Sequence, residues 1–213
     1  KQVVMSTFVL VPGSWHGAWC WYKVTPLLRK LGHTVITSEL PGHGINPAVP
    51  GKVTLKDYTD CLCCVLDELA EPAIVVGHSR GGIVITQAAE YRPKKISQLV
   101  YLTAFLIPNG MPMVALALQD KGSLIGPNLI FNETEGWHML KREAFKEALY
   151  HDCSDEDIEL TTNLLTPEPN GPISTPLQLT EANFGRVPKT YIGCLDDRGI
   201  SPAMQKQMYT TTP

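Results

Sequence analysis

An α/β fold with a mostly parallel sheet and helices on both faces is what this sequence predicts, on three observations. Short runs rich in Val, Ile and Leu recur along the chain, as in TFVLV (7–11), TVITSEL (34–40) and AIVVG (73–77). These runs are mostly apolar throughout rather than alternating, the mark of a strand covered on both sides. Between them lie longer segments with apolar residues at helical spacing.

The elements follow in order. TFVLV reads as a buried strand that stops at Pro12-Gly13, and AWCWYKVTPLLRKLG (18–32) as a helix with Trp21, Leu27, Leu28 and Leu31 available to one face. TVITSEL is the second strand, ended by PGHG; TLKDYTDCLCCVLDELA (54–70) then sets Leu55, Tyr58, Leu62, Val65, Leu66 and Leu69 on a helical stripe. AIVVG, RGGIVITQAAEY (80–91) and QLVYLTAF (98–105) supply strand, helix and strand. From Pro108 the rhythm changes. Residues 108–187 carry many Pro and Gly, no strand pattern, and helical patterns near 137–150 and 154–165, the second opened by Ser154 as N-cap with Asp157 three residues on. A strand returns in KTYIGCLDD (189–197), then a helix with Ser201 as N-cap and Pro202 in its first turn. The expected organisation is a core over 1–107, a helical cap or lid inserted over 108–187, and a second core part over 188–213 that is incomplete.

Composition narrows the function classes. The chain has 213 residues, 44% hydrophobic and 18% charged, which suits one globular domain with an insertion. A formal net charge of −3 without a basic cluster anticipates neither nucleic acid nor an anionic membrane surface. No apolar run approaches the ~20 residues of a membrane-spanning helix. No signal-peptide pattern opens the sequence, and Met5 is expected to be the natural start with foreign residues before it. The six cysteines show no disulfide or zinc spacing, so they are expected as free thiols in a reducing compartment, the cytoplasm. No cofactor and no metal is expected. The NET sequon at Asn132 is taken as a chance match.

The chemistry concentrates in GHSRG, residues 77–81. G-x-S-x-G between a strand and a helix is a nucleophile elbow: a strained turn lifts Ser79 above the sheet, and glycines at 77 and 81 avoid clashes with the flanking strand and helix. The hydroxyl then sits at a helix N-terminus, where backbone N–H groups can meet a developing oxyanion. The loop after the first strand, Pro12-Gly13-Ser14, can bring a second N–H. The oxyanion hole is therefore expected from the backbone N–H of Ser14 and of Arg80. A carboxylate should follow a later strand, and Asp196 and Asp197 both stand after the 190s strand.

FVLVPGSWHGAWCWYKVTPLLRKLGHTV, VVGHSRGGIVI and YIGCLDDRGIS together resemble the α/β-hydrolases that include plant methylesterases, plant hydroxynitrile lyases and bacterial pyrethroid-type esterases. LYHDCSDEDIELTTNLL and Phe184-Gly185 are similar as well. The resemblance implies that Ser79 is the nucleophile, Asp197 the acid, and the Ser14 and Arg80 amides the oxyanion donors. Two departures stand out: Pro12-Gly13 where the family has His-Gly, and Arg80 where relatives carry an apolar residue, either holding a cap carboxylate or pointing to solvent. The lyases have Thr in place of Gly13 and Glu in place of His78, so both positions here are esterase-like.

One member of the triad is unaccounted for. His16, His33, His43, His78, His138 and His151 all precede Asp197, whereas the family order places the histidine after it. Without a base, a serine hydroxyl is a poor nucleophile at neutral pH. His78 adjoins Ser79 on a turn where adjacent side chains diverge, and His16 reads as a loop hydrogen-bonding residue. The expectation is that the last strand, the histidine loop and the final helix are missing from this chain. The catalytic histidine would lie beyond Pro213 or on a C-terminal fragment of the same protein. The expected activity is serine esterase action on a small to medium hydrophobic ester, with MPMVALAL, Trp137, Met139 and Leu140 either lining the pocket or forming the core of the cap. A hydroxynitrile lyase and a non-catalytic ligand-binding protein are the alternatives; oligomeric state is not legible.

Overall fold

A computed structural model describes residues 5–212. The residues expected to be foreign, 1–4, lie outside the described residues. Along the chain, β1 (Thr7–Val11), α1 (Val24–Lys30), β2 (Thr34–Thr37), α2 (Leu55–Asp67), β3 (Ala73–Ser79), α3 (Gly81–Tyr91) and β4 (Ile96–Ala104) come first. There follow α4 (Met113–Ala117), β5 (Leu129–Asn132), β6 (Trp137–Leu140), α5 (Phe145–Leu149), α6 (Asp155–Thr162), β7 (Glu168–Pro169) and α7 (Asn170–Ser174). β8 (Lys189–Ile192) and α8 (Pro202–Thr211) close the described chain.

The main sheet has the order β2-β1-β3-β4-β8, and every neighbouring pair is parallel. The chain runs outward from β1 to β2, then returns to the other side of β1 for β3. The carboxyl ends of β1 and β3 thus diverge into a crevice, the place where open α/β sheets bind ligands. The Ser14 loop leaves from one of these strands and the Ser79 turn from the other.

The main apolar core joins Val9, Val75, Leu99 and Tyr101 to residues of α2, α3 and α8, with Leu62, Leu66, Ile83, Met204 and Met208 all buried. α2 owes its register to a complete capping box between Thr54 and Asp57. A separate cluster of Leu10, Trp21, Val35 and Val76, with Leu28 packed against it, covers other sheet residues.

Two expectations need correction. The 18–32 helix is divided into a 3-10 turn (Ala18–Trp21) and α1. Pro26 has no N–H to bond back along a continuous helix and is tolerated only in a first turn, so the helix starts afresh at Val24. Trp21 is buried, but Leu27 and Leu31 are exposed rather than packed. The second correction concerns 108–187, which holds an antiparallel sheet of order β5-β6-β7 and is not purely helical. Residues 137–150 form β6, a 3-10 turn and α5 instead of one helix. The cause is the turn at 132–136. Asn132 Oδ1 accepts from Glu135 N (3.0 Å), Asn132 O from Gly136 N (2.8 Å), and Gly136 takes φ 72°. That geometry pairs Phe131 with His138 across a hairpin.

Candidate active site

β3 ends at Ser79, which holds φ 51°, and α3 begins two residues later. A non-glycine residue in this left-handed region costs on the order of 1–3 kcal/mol and persists only where its surroundings enforce it. Here the enforcement is steric: a Cβ on Gly77 would lie 2.8 Å from Gly81 O, and one on Gly81 2.8 Å from Val11 O. Only bare backbone lets β1, β3 and α3 converge so closely. Phe105 N donates to Ser79 O (3.0 Å), and the half-buried serine lines a cavity at the carboxyl end of the sheet.

One strand across, the register slips. His78 faces Leu102 but Ser79 faces Ala104, so Thr103 is the extra residue of a bulge, at φ 37°. The Thr103 hydroxyl donates to Asp197 Oδ2. Asp197 Oδ1 accepts from Gly199 N (2.7 Å) and Ile200 N (3.0 Å). Asp197 is therefore held on the cavity wall by three donors, whereas Asp196, which also borders the cavity, is exposed.

The loop after β1 carries the third strained residue, Trp15, at φ 64°. Next to it, His16 Nδ1 donates to Ser14 O (2.6 Å), which leaves Nε2 to accept from the Tyr150 hydroxyl (2.5 Å). Burial pulls the His16 pKa down to about 4, so the ring is neutral and acts as a strut for the loop. Among the described residues, no hydrogen bond outside helices and strands uses the Ser14 or Arg80 N–H.

The Arg80 side chain does not reach solvent; it is fully buried and meets a carboxylate of the 108–187 excursion. Its Nε lies 3.0 Å from Glu168 Oε1, and its Nη2 donates to Gly13 O (3.0 Å). The guanidinium also lies 4.7 Å from the centre of the Tyr58 ring. Glu168 is wholly buried too; it accepts from Trp15 N (3.0 Å) and the Tyr58 hydroxyl (3.1 Å), and His43 Nε2 lies 3.1 Å from its Oε2. Burial by itself would raise its pKa, but Arg80, His43 and His138 outweigh that and hold the carboxyl well below the usual range, hence ionised.

Among the described residues, no histidine ring hydrogen-bonds to Ser79 or Asp197. His33 accepts from Ser6 N (3.3 Å), His43 bonds Thr166 and Tyr58, and His138 bonds Asn170. His78 and His151 line the cavity; burial, then the Arg80 charge, lower the His78 pKa to about 4. The cavity measures about 450 Å³ and is walled mainly by Phe105, Met113, Ile125, Leu129, Phe131 and Ile173. The MPMVALAL stretch does contribute, through Met113, Val114, Ala117 and Leu118. Trp137, Met139 and Leu140 do not line it: Leu140 is core, with Met139 packed against that core. Among the described residues, no group of His, Cys, Asp and Glu side chains is arranged to hold a metal ion.

Sequence reasoning passed over Thr103 and Glu168. Thr103 stands at the end of a strand recognised as such, and nothing short of the bulge marks it. Glu168 lies in the proline-rich TPEPNGP, where a lone acid carries no signal.

A strained serine between strand and helix, at the switch point of a parallel sheet and sharing a cavity with an anchored aspartate, defines a hydrolase-type architecture. The chain belongs to the alpha/beta hydrolase family, whose model matches residues 8–212. Methylesterase 1 of Arabidopsis thaliana is 35% identical over 222 residues, covering 97% of this chain and 84% of its own length. Three longer relatives from the same plant, two of them 31% and one 34% identical, have names that include the word chloroplastic; the chain spans 56%, 63% and 63% of their lengths. The crystal structure of polyneuridine aldehyde esterase superposes with a TM-score of 0.88 at 28% identity, covering 98% of this chain and 87% of that one. Tomato methylketone synthase I, solved with 2-tridecanone, gives 0.85 at 29% identity, covering 99% and 86%.

Proposed function

We propose that the protein is a cofactor-free serine esterase acting on carboxylic esters of small to medium hydrophobic molecules. The observation that carries this reading is the left-handed Ser79, turned toward a largely apolar cavity whose wall also holds Asp197. Ser79 Oγ attacks the ester carbonyl carbon and gives its proton to a histidine. The new oxyanion lies against the N–H groups of Ser14 and Arg80 at the start of α3. The histidine passes the proton to the departing alcohol, and water then cleaves the acyl enzyme by the same route. Asp197 orients the histidine. That histidine is proposed to come from polypeptide beyond Pro213. The excursion, 108–187, serves as the cap that shapes the substrate pocket. The location is proposed to be the cytoplasm.

Gly13 favours esterase over hydroxynitrile lyase. A Cβ there would lie 2.8 Å from His78 Nδ1 and 3.0 Å from Ser79 Cβ, so the threonine of the lyases does not fit this loop beside His78. The test uses full-length protein: fluorophosphonate labelling of Ser79, followed by turnover of p-nitrophenyl esters and of mandelonitrile. Labelling with ester turnover is expected. Cyanide release without ester hydrolysis would make it a lyase, and ligand-induced thermal stabilisation without either would make it a binding protein.

A further inference from the structure

The cluster around Glu168 lies outside the groups that touch a substrate, yet it grips the backbone on both sides of the cavity. Trp15 is a bulky residue in a left-handed conformation, and three atoms of the excursion hold it there. Glu168 Oε2 accepts its N–H (3.0 Å), Thr166 N donates to its carbonyl (3.0 Å), and its indole donates to His138 O (3.3 Å). The Trp15 N–H directly follows Ser14, so fixing its direction fixes the plane of the Ser14–Trp15 peptide and the set of the loop. The same carboxylate pairs with Arg80, whose own N–H is the other proposed oxyanion donor, and Arg80 in turn clasps Gly13 O.

From this geometry we infer that Glu168 is a positioning residue: it seats the Ser14 loop and the Arg80 turn relative to each other, so the oxyanion hole is complete only when the excursion is docked. The inference rests on the serine-esterase reading above. Its chemistry requires an ionised carboxylate, because a neutral carboxyl would leave a buried guanidinium without a counter-charge. The hydrogen-bond acceptor that Trp15 needs is a separate contribution, and a neutral amide can supply it.

The experiment therefore compares two charge-neutral doubles of the full-length protein, R80M/E168Q and R80M/E168L. Both remove the ion pair together, which spares the fold the cost of one unpaired buried charge. The glutamine keeps an acceptor for Trp15 N–H and the leucine does not. Loss of oxyanion alignment is expected to lower kcat of R80M/E168L about 100-fold below R80M/E168Q, with KM changed less than about threefold. The affinity of a trifluoromethyl ketone should fall in parallel. Equal kcat in the two doubles, or a loss confined to KM, overturns the inference. A wild-type protein that neither hydrolyses esters nor takes up fluorophosphonate defeats the esterase reading instead, so the two failures look different. Should the doubles not fold, amide exchange in the wild type decides: a slowly exchanging Trp15 N–H supports the carboxylate anchor, and one exchanging at the rate of open loops overturns it.

Discussion

Ser79 and Trp15 invite comparison, because both are non-glycine residues with positive φ, 51° and 64°, beside the same cavity. They differ in what sustains the strain. At Ser79 the agents are close in sequence: Gly77 and Gly81, two residues either way, admit the close packing of β1, β3 and α3. At Trp15 they are far away, since Glu168 is 153 residues distant and His138 is 123. Strain held by neighbours travels with the motif and survives changes elsewhere. Strain held at long range makes one part of the molecule answer to another, and here it ties the oxyanion loop to the excursion.

The sharpest break of the serine side is Ser79→Ala in the full-length protein. If the turn exists to present a nucleophile, kcat should fall about 10⁶-fold, with the melting temperature unchanged or raised because the fold is kept. Stopped-flow ester hydrolysis and a thermal melt read the two quantities. Substantial residual turnover would mean that the left-handed turn has some other purpose. Next in size is Asp197→Asn, expected to cost about 10⁴-fold in kcat by presenting the wrong histidine tautomer. Equal activity in D197N and wild type would move the acid to the exposed Asp196.

The same contrast explains what was legible in the sequence. Parallel strands announced themselves through apolar runs, and the elbow through residues within five positions of one another. Those are local signals. The 132–136 turn is local too, but its sequence NETEG lacks the usual hairpin dipeptides, so the pattern predicts helix and loop where β5 and β6 stand. Arg80 left two readings open because its fate depends on Glu168, a residue 88 positions away on a two-residue strand. No periodicity exists over two residues. Thr103 was invisible for a third reason: a register slip is a relation between two strands, and neither strand's sequence contains it.

A pH titration of stability sharpens the long-range half. In the unfolded chain His16 takes up a proton below about pH 6.5, whereas in the folded protein it does so only below about 4. Between those values the unfolded chain binds more protons, so stability falls as pH is lowered through this window, by on the order of 3 kcal/mol for His16. His78, lowered likewise to about 4, acts in the same direction. Glu168 has a depressed folded pKa, so its contribution is full above the ordinary carboxylate range and drains away only at more acidic pH. Circular-dichroism melts from pH 7.5 to 4 should show the first limb, and His16→Gln should make it shallower. An unchanged slope in H16Q would mean that His16 is not held neutral by the loop.

The smallest expected effect comes from the bulge that joins the two halves of the site. Thr103→Val keeps a β-branched shape at φ 37°, so the backbone strain is the same, and removes only the hydroxyl that donates to Asp197 Oδ2. Asp197 retains the N–H groups of Gly199 and Ile200 on its other oxygen. Losing one of three donors lets the carboxylate rotate without releasing it. A fall in kcat of about tenfold follows, equivalent to about 1.4 kcal/mol, with the acidic limb of the kcat–pH profile shifted because the carboxylate paired with the histidine is less restrained. If T103V matches wild type in both rate and profile, the 198–200 loop alone orients Asp197. The bulge would then have arisen from how β4 accommodates the serine turn, and its left-handed residue would belong to the elbow's local strain.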